Sequence, residues 1–146
     1  HDDRNLYISA TCTEPQPERM VAKIKENDRN VFLDDCIEVF LAPIANDKYY
    51  HIVVNVIGTV YDALIKDKNW NGSYQVSARK GADNWSLEIA IPFKSLGVDG
   101  IKPGTRWGFN ICRERYAGIP PEVSSYALLL KSGFHSPSRF RVLEFQ

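Results

Sequence analysis

Apolar and polar residues alternate with a period of two along most of this chain. Leu6, Ile8, Ala10 and Cys12 alternate with Tyr7, Ser9 and Thr11, and Ile37, Val39 and Leu41 with Cys36, Glu38 and Phe40. Tyr50, Ile52, Val54 and Val56 alternate with His51, Val53 and Asn55, and Trp85, Leu87, Ile89 and Ile91 with Ser86, Glu88 and Ala90. Trp107, Phe109 and Ile111 alternate with Gly108, Asn110 and Cys112. Successive side chains of an extended chain point to opposite faces, so each run predicts a strand with one core face. Shorter strands are predicted over 59–64, 74–79, 126–130 and 140–145. Turn residues separate the runs: Ile57-Gly58, Asn71-Gly72, residues 81–84 (GADN) and Lys102-Pro103-Gly104 predict tight hairpins. Helical periodicity is almost absent. Residues 17–27 (PERMVAKIKEN) predict at most a turn or two of helix, residues 92–97 a single turn, and residues 115–125, with Pro120-Pro121, a long irregular loop. The fold class is therefore all-β: an antiparallel β-sandwich of about nine or more strands with at most short helical turns.

Length sets the domain count. The 146 residues fit one domain, spanning 1–146, and a chain of this size buries enough surface to fold without disulfides. The opening HDDRN reads as a turn feeding a strand, which predicts a first strand lying before His1. Lys+Arg and Asp+Glu number 18 each, so no net charge draws the chain to a polyanion, and nucleic acid and membrane insertion are not expected partners. Cys12, Cys36 and Cys112 share no metal-binding spacing and read as buried thiols, with a Cys36–Cys112 disulfide across a sheet as the other reading.

No nucleophile elbow, zinc-protease helix or phosphate-cradling loop is present, so the chain is not read as an enzyme. Glycosidase chemistry needs two facing carboxylates; Glu38 and Glu88 are the strand candidates, both pointing away from their core faces. Sugar binding asks for less: a planar ring under the C–H face of a pyranose and polar side chains around its edge, held by a rigid sheet. Trp85 and Trp107 lead apolar series and belong to the core, whereas Trp70, in DKNWNGS, is either a loop anchor or a ligand platform. Phe32 and one of Tyr49 and Tyr50 are further exposed rings. Glu38, Asn55 and Asn110 lie on the non-core parity of their strands, and Arg113 lies just past the apolar part of its own.

In order along the chain, DDCIEVFLAP, YYHIVVNVIGTVYD, WNGSYQVSA, WSLEIAIPFKSLG, KPGTRWGFNICRER and the closing FHSPSRF resemble the family-nine carbohydrate-binding modules, part of the DOMON-like superfamily. The resemblance runs from Leu6 to near the end of the chain. It implies a non-catalytic module that holds a gluco- or xylo-saccharide, as a chain end or short sugar, between aromatic rings. It implies that Phe32 stands where the family usually has Trp, that Glu38 is the carboxylate of the DD-x-x-E run, and that Asn110 and Arg113 are the polar residues of the WGFN strand. Phe134 or His135 is the second ring. The expected binding set is thus Phe32, Glu38, Asn55, Trp70, Asn110, Arg113 and His135. No cofactor is required; a structural calcium ion is permitted, with Asp34 and Asp35 as contributors. The expected partner is a polysaccharide or oligosaccharide. The expected setting is extracellular or periplasmic, as an accessory domain linked to a glycoside hydrolase or other domain of a secreted glycan-degrading protein. The smaller ring at Phe32 motivates an alternative: a structural β-sandwich, serving as spacer or docking domain, with no working ligand site.

Overall fold

The long alternating runs all form strands. The computed structural model describes residues 1–43, 48–128 and 133–146. Among them are nine strands: β1 (Asn5–Thr13), β2 (Cys36–Ala42), β3 (Tyr50–Asn55), β4 (Val60–Leu64), β5 (Gln75–Lys80), β6 (Asn84–Pro92), β7 (Arg106–Arg115), β8 (Glu122–Ser125) and β9 (Arg141–Glu144). The helical content of the described residues is four single 3-10 turns, so none of it is long and apolar enough to cross a membrane. A three-stranded sheet, in the order β1-β6-β5, packs on a six-stranded one in the order β4-β3-β2-β7. The far edge of β7 is shared. β9 pairs with its first half and β8 with its second, and every pairing is antiparallel.

The period-two pattern sets the core. On β1 and β6 the facing pairs are Leu6–Ile91, Ile8–Ile89, Ala10–Leu87 and Cys12–Trp85. They pack against Ile37, Val39, Leu41, Ile52, Val54 and Trp107 of the other sheet. Trp85 is completely buried and Trp107 nearly so, as their positions in apolar series predict.

Several local expectations are corrected. Ile57-Gly58 and residues 81–84 do turn hairpins, β3–β4 and β5–β6. Gly58 takes φ +85°, a left-handed conformation that costs a glycine little. Asn71-Gly72 and Lys102-Pro103-Gly104 do not turn hairpins, because the strands they join lie in different sheets. Gly72 N–H instead donates to the Asp62 carboxylate at 2.8 Å, holding the crossover against β4. Within 17–27 only Pro17–Arg19 is helical. The amides of Val21, Lys23 and Ile24 donate to the side chains of Asp35 and Asp34, which removes them from any helical ladder. The strand expected over 126–130 pairs earlier, as β8, inside the stretch expected to be a long loop; residues 129 and 130 lie outside the described residues. Neither Tyr49 nor Tyr50 is exposed: Tyr49 is buried and the Tyr50 hydroxyl donates to the Leu96 carbonyl.

All three cysteines are buried free thiols. Cys36 lies opposite Glu114, and Cys112 opposite Glu38, so no Cys36–Cys112 disulfide forms. Burial pushes the Cys112 thiol up to about 12, which suppresses its thiolate chemistry. Glu88 is exposed on the outer face of the three-stranded sheet, the opposite side of the molecule from Glu38, so the two do not meet.

Candidate functional site

The outer face of the six-stranded sheet is not an ordinary solvated face. Loops cross it and bury two further apolar clusters, one around Val31, Cys36, Val53, Tyr61 and Ala63, the other around Phe40, Tyr49 and Cys112. Between them opens a cleft of about 650 Å³, lined by Phe32, Glu38, His51, Tyr61, Glu114, Tyr116, Phe134 and His135, with Ile65, Lys66 and Lys68 near the end of β4.

Cross-strand pairing builds the floor. Phe40 and His51 face each other across β2 and β3, and their rings stack at 4.4 Å and 8°. Glu38, two residues earlier on β2, accepts a 2.6 Å hydrogen bond from His51 Nε2, and both side chains are buried. His135 stands edge-on to Phe40 and His51, with its Nδ1 hydrogen-bonded to the Tyr49 hydroxyl at 2.8 Å. Tyr61 meets His51 edge-on, and Phe32 meets Tyr61 edge-on at 5.7 Å. The Tyr116 hydroxyl donates to the Phe32 carbonyl, fixing the loop that carries that ring. Ile65 takes φ +61°, a conformation a β-branched residue adopts at a cost of about 1–3 kcal/mol, and such strain gathers at functional sites.

The cleft is electrostatically uneven. Burial, then repulsion from Glu38, pushes the Glu114 carboxyl up to about 7. Burial, then the neighbouring His51, holds His135 below the usual imidazole range. The two groups bias stability in opposite directions. The unfavourable ionised Glu114 is present above pH 7 and is relieved as pH falls toward the unfolded value of 4.5. His135 resists protonation when folded, so its contribution is lost as pH falls through the unfolded value of 6.5. Glu114→Gln removes only the first. It is expected to raise unfolding stability at pH 8 by about 1 kcal/mol, allowing for solvent screening of a half-buried group, and by less at pH 5. Urea melts at the two pH values check this; an equal change at both would contradict it.

Of the residues expected from sequence, Phe32, Glu38 and His135 line the cleft, as does Phe134. The other four lie elsewhere. Asn55 is fully buried: its amide donates to the Ile24 carbonyl and Asp34, and its oxygen accepts from the amides of Ile57 and Thr59. The Asn110 side chain bonds Cys112, Ser125 and the Ala127 amide. Arg113 reaches the opposite side of its strand, to the Thr13 carbonyl and Glu14. Trp70 packs on Tyr50, ring centroids 4.7 Å apart, and against the main core, which makes it a loop anchor. His51, Tyr61, Glu114 and Tyr116 were missed. Strand parity carried a signal for His51 and Glu114, since antiparallel pairing puts both on the face of Glu38.

Asp34 and Asp35 do not fit a calcium site. The Asp34 oxygens accept from the amides of Lys23 and Ile24 and from Asn55 Nδ2, and those of Asp35 from the amides of Val21 and Ala117. Donors aimed at the carboxylates make an anion clamp, whereas a hard cation needs converging oxygens. Among the described residues no group of three or more His, Cys, Asp or Glu side chains is placed to hold a metal ion.

The architecture has solved counterparts. A putative carbohydrate-binding protein from Bacteroides uniformis ATCC 8492 superposes with a TM-score of 0.78 at 18% identity, over 99% of this chain and 74% of its own. A family 9 carbohydrate-binding module from Caldicellulosiruptor kristjanssonii in complex with glucose gives 0.68 at 17% identity, covering 100% of this chain and 73% of that one. A family 9 module from the same organism in complex with cellotriose gives 0.64 at 17%, covering 99% and 70%. No curated protein is significantly similar. The family model described as carbohydrate-binding family 9 matches residues 3–145, nearly the whole sandwich, and the chain belongs to that family.

Proposed function

We propose that the cleft over β2, β3, β4 and β7 binds a gluco- or xylo-saccharide, as a chain end or short sugar, without acting on it chemically. The observation that carries this reading is an aromatic-walled cleft set over the buried Glu38–His51 pair. Phe32 and Phe134 offer apolar faces to pyranose C–H groups, and Glu38, held rigid by His51, accepts from neighbouring hydroxyls. The glucose and cellotriose held by the Caldicellulosiruptor kristjanssonii modules support the ligand class. A non-catalytic role fits the carboxylates. Glu38 and Glu114 rise side by side from adjacent strands of one floor, whereas a glycosidase sets its pair on opposite sides of the scissile bond. The reading extends to an accessory domain of a secreted glycan-degrading protein, working outside the cytoplasm; its support is family membership alone.

Calorimetry with cello- and xylo-oligosaccharides tests it. Tryptophan emission is a poor reporter, because none of the three tryptophans lines the cleft. Binding heat is expected with at least one series, and Phe32→Ala should weaken it about three- to tenfold, the worth of one stacking ring. Absence of heat with every saccharide would sink the reading.

A further inference from the structure

Glu114 is the one cleft carboxyl whose charge is left unanswered. It lies on β7 opposite Cys36, while Glu38 lies opposite Cys112, so the two glutamates are diagonal neighbours on one face of β2 and β7. The Glu38 carboxylate is engaged by His51. Among the described residues Glu114 enters no ion pair. None of the other ionisable groups of the cleft forms an ion pair with Glu114, although the Lys66 charge reaches His135. His135 holds Tyr49, and Tyr116 holds the Phe32 carbonyl. Lys66 and Lys68 follow the end of β4, on the far side of β3 and β2 from Glu114, where the Lys68 ammonium stands 5.9 Å from the centre of the Tyr61 ring. The β2–β7 end of the floor therefore carries two carboxylates near aromatic faces, one hydrogen-bonded to His51 and the other, Glu114, without an ion-pair partner.

A neutral sugar hydroxyl can donate to Glu114 but leaves the carboxylate's charge unbalanced. An ammonium group among hydroxyls answers both needs, and a charge-assisted hydrogen bond is about twice as strong as a neutral one. We propose that Glu114 makes the cleft prefer a saccharide bearing a protonated amine, of the glucosamine class, over its neutral counterpart, with the ammonium seated between Glu114 and Glu38. This rests on the saccharide reading of the cleft.

The test compares two β-1,4 trisaccharides that differ only at the 2-position, fully deacetylated chitotriose and cellotriose, titrated calorimetrically at pH 7, where the Glu114 carboxyl is about half ionised and a seated ammonium draws it further toward its charged form. The wild-type domain should bind the amine trisaccharide about tenfold more tightly, the span between a neutral and a charge-assisted hydrogen bond. Added salt should shrink that advantage. In Glu114→Gln the ratio of the two affinities should fall toward one. Near-ultraviolet circular dichroism confirms that the variant is folded. Equal or tighter binding of cellotriose by the wild type overturns the proposal and leaves the saccharide reading intact, as does a preference that survives Glu114→Gln. If neither trisaccharide binds, nor any neutral oligosaccharide, both fall together.

Discussion

Glu14→Ala is expected to lower the unfolding free energy by about 3 kcal/mol, the largest stability loss among the changes considered, and the melting temperature by about 10 °C. Glu14 follows the last residue of β1 and is completely buried. Its carboxylate accepts from Arg113 Nη2, from Arg115 Nε and Nη2, and from the Gln16 amide. Its own amide donates to the Asp83 carbonyl at 2.7 Å. The three-stranded sheet is thereby tied to β7 of the six-stranded one at the end of the sandwich where the apolar core runs out. Truncation leaves the Arg113 guanidinium, largely withdrawn from water, with no carboxylate, facing an Arg115 that keeps Glu122 alone. Glu14→Gln keeps the size but turns an N–H₂ toward those cations, so its stability should fall between wild type and Ala. The hydrogen bond from Arg115 holds the Glu14 carboxyl below its ordinary value of 4.5. The stabilisation is therefore present above that pH and is lost as pH falls through the folded value. Chemical unfolding at pH 7 is the measurement, and a Glu14→Ala midpoint equal to wild type would show that the cluster is merely solvated charge.

What the sequence disclosed and concealed follows from how many layers cover each residue. The run Ile37, Val39, Leu41 faces one well-defined core, and its period of two is enough to place it. The opposite parity of the same strand carries Cys36, Glu38 and Phe40, which look like a mixed outer face. In fact β2 is buried on both sides, because Ile24, the Val31–Leu33 turn, Phe134 and Phe140 pack over its outer face. A strand pattern says which face a residue is on; it does not say whether loops far away in sequence will roof that face. This separates the expected site residues. Asn55 and Asn110 are on the right face, but each sits where a loop comes down, and each meets backbone amides there. Glu38 sits where the roof is open. Arg113 has the parity of the core, and its guanidinium lies at the end of that core, held by the Thr13 carbonyl and Glu14. Asn71-Gly72 shows the same limit in a turn: the dipeptide signals a reversal but not whether the next strand joins the same sheet. The Asp34-Asp35 pair, a turn signal in sequence, becomes the clamp that draws the roofing segment down onto the sheet.

Glu38→Ala should abolish measurable saccharide binding, and Glu38→Gln should weaken it on the order of 30- to 100-fold while leaving the domain folded. The two variants separate the carboxylate's structural work from its work on a ligand. Removing the side chain leaves His51 buried between Phe40, His135 and Tyr61 with no partner for Nε2, at a cost of about 1–3 kcal/mol. Loss of binding in the Ala variant alone could therefore be a packing effect. The Gln side chain retains an oxygen to accept from His51, so the floor keeps its geometry. What it loses is the negative charge and one acceptor, and hydrogen bonds to a charged group are worth about 1.5–3 kcal/mol each. A folded Glu38→Gln domain with binding cut by that amount places the carboxylate against the sugar. A folded Glu38→Gln domain that binds as wild type would assign Glu38 to holding His51, and would move the ligand toward Phe32 and the lysines at the end of β4. A spacer domain without a ligand site predicts a third result: no binding by wild type and no change in either variant beyond the stability lost in Glu38→Ala. The ordering of the three proteins in calorimetry, read beside their melting temperatures, decides between a working cleft and an inherited scaffold.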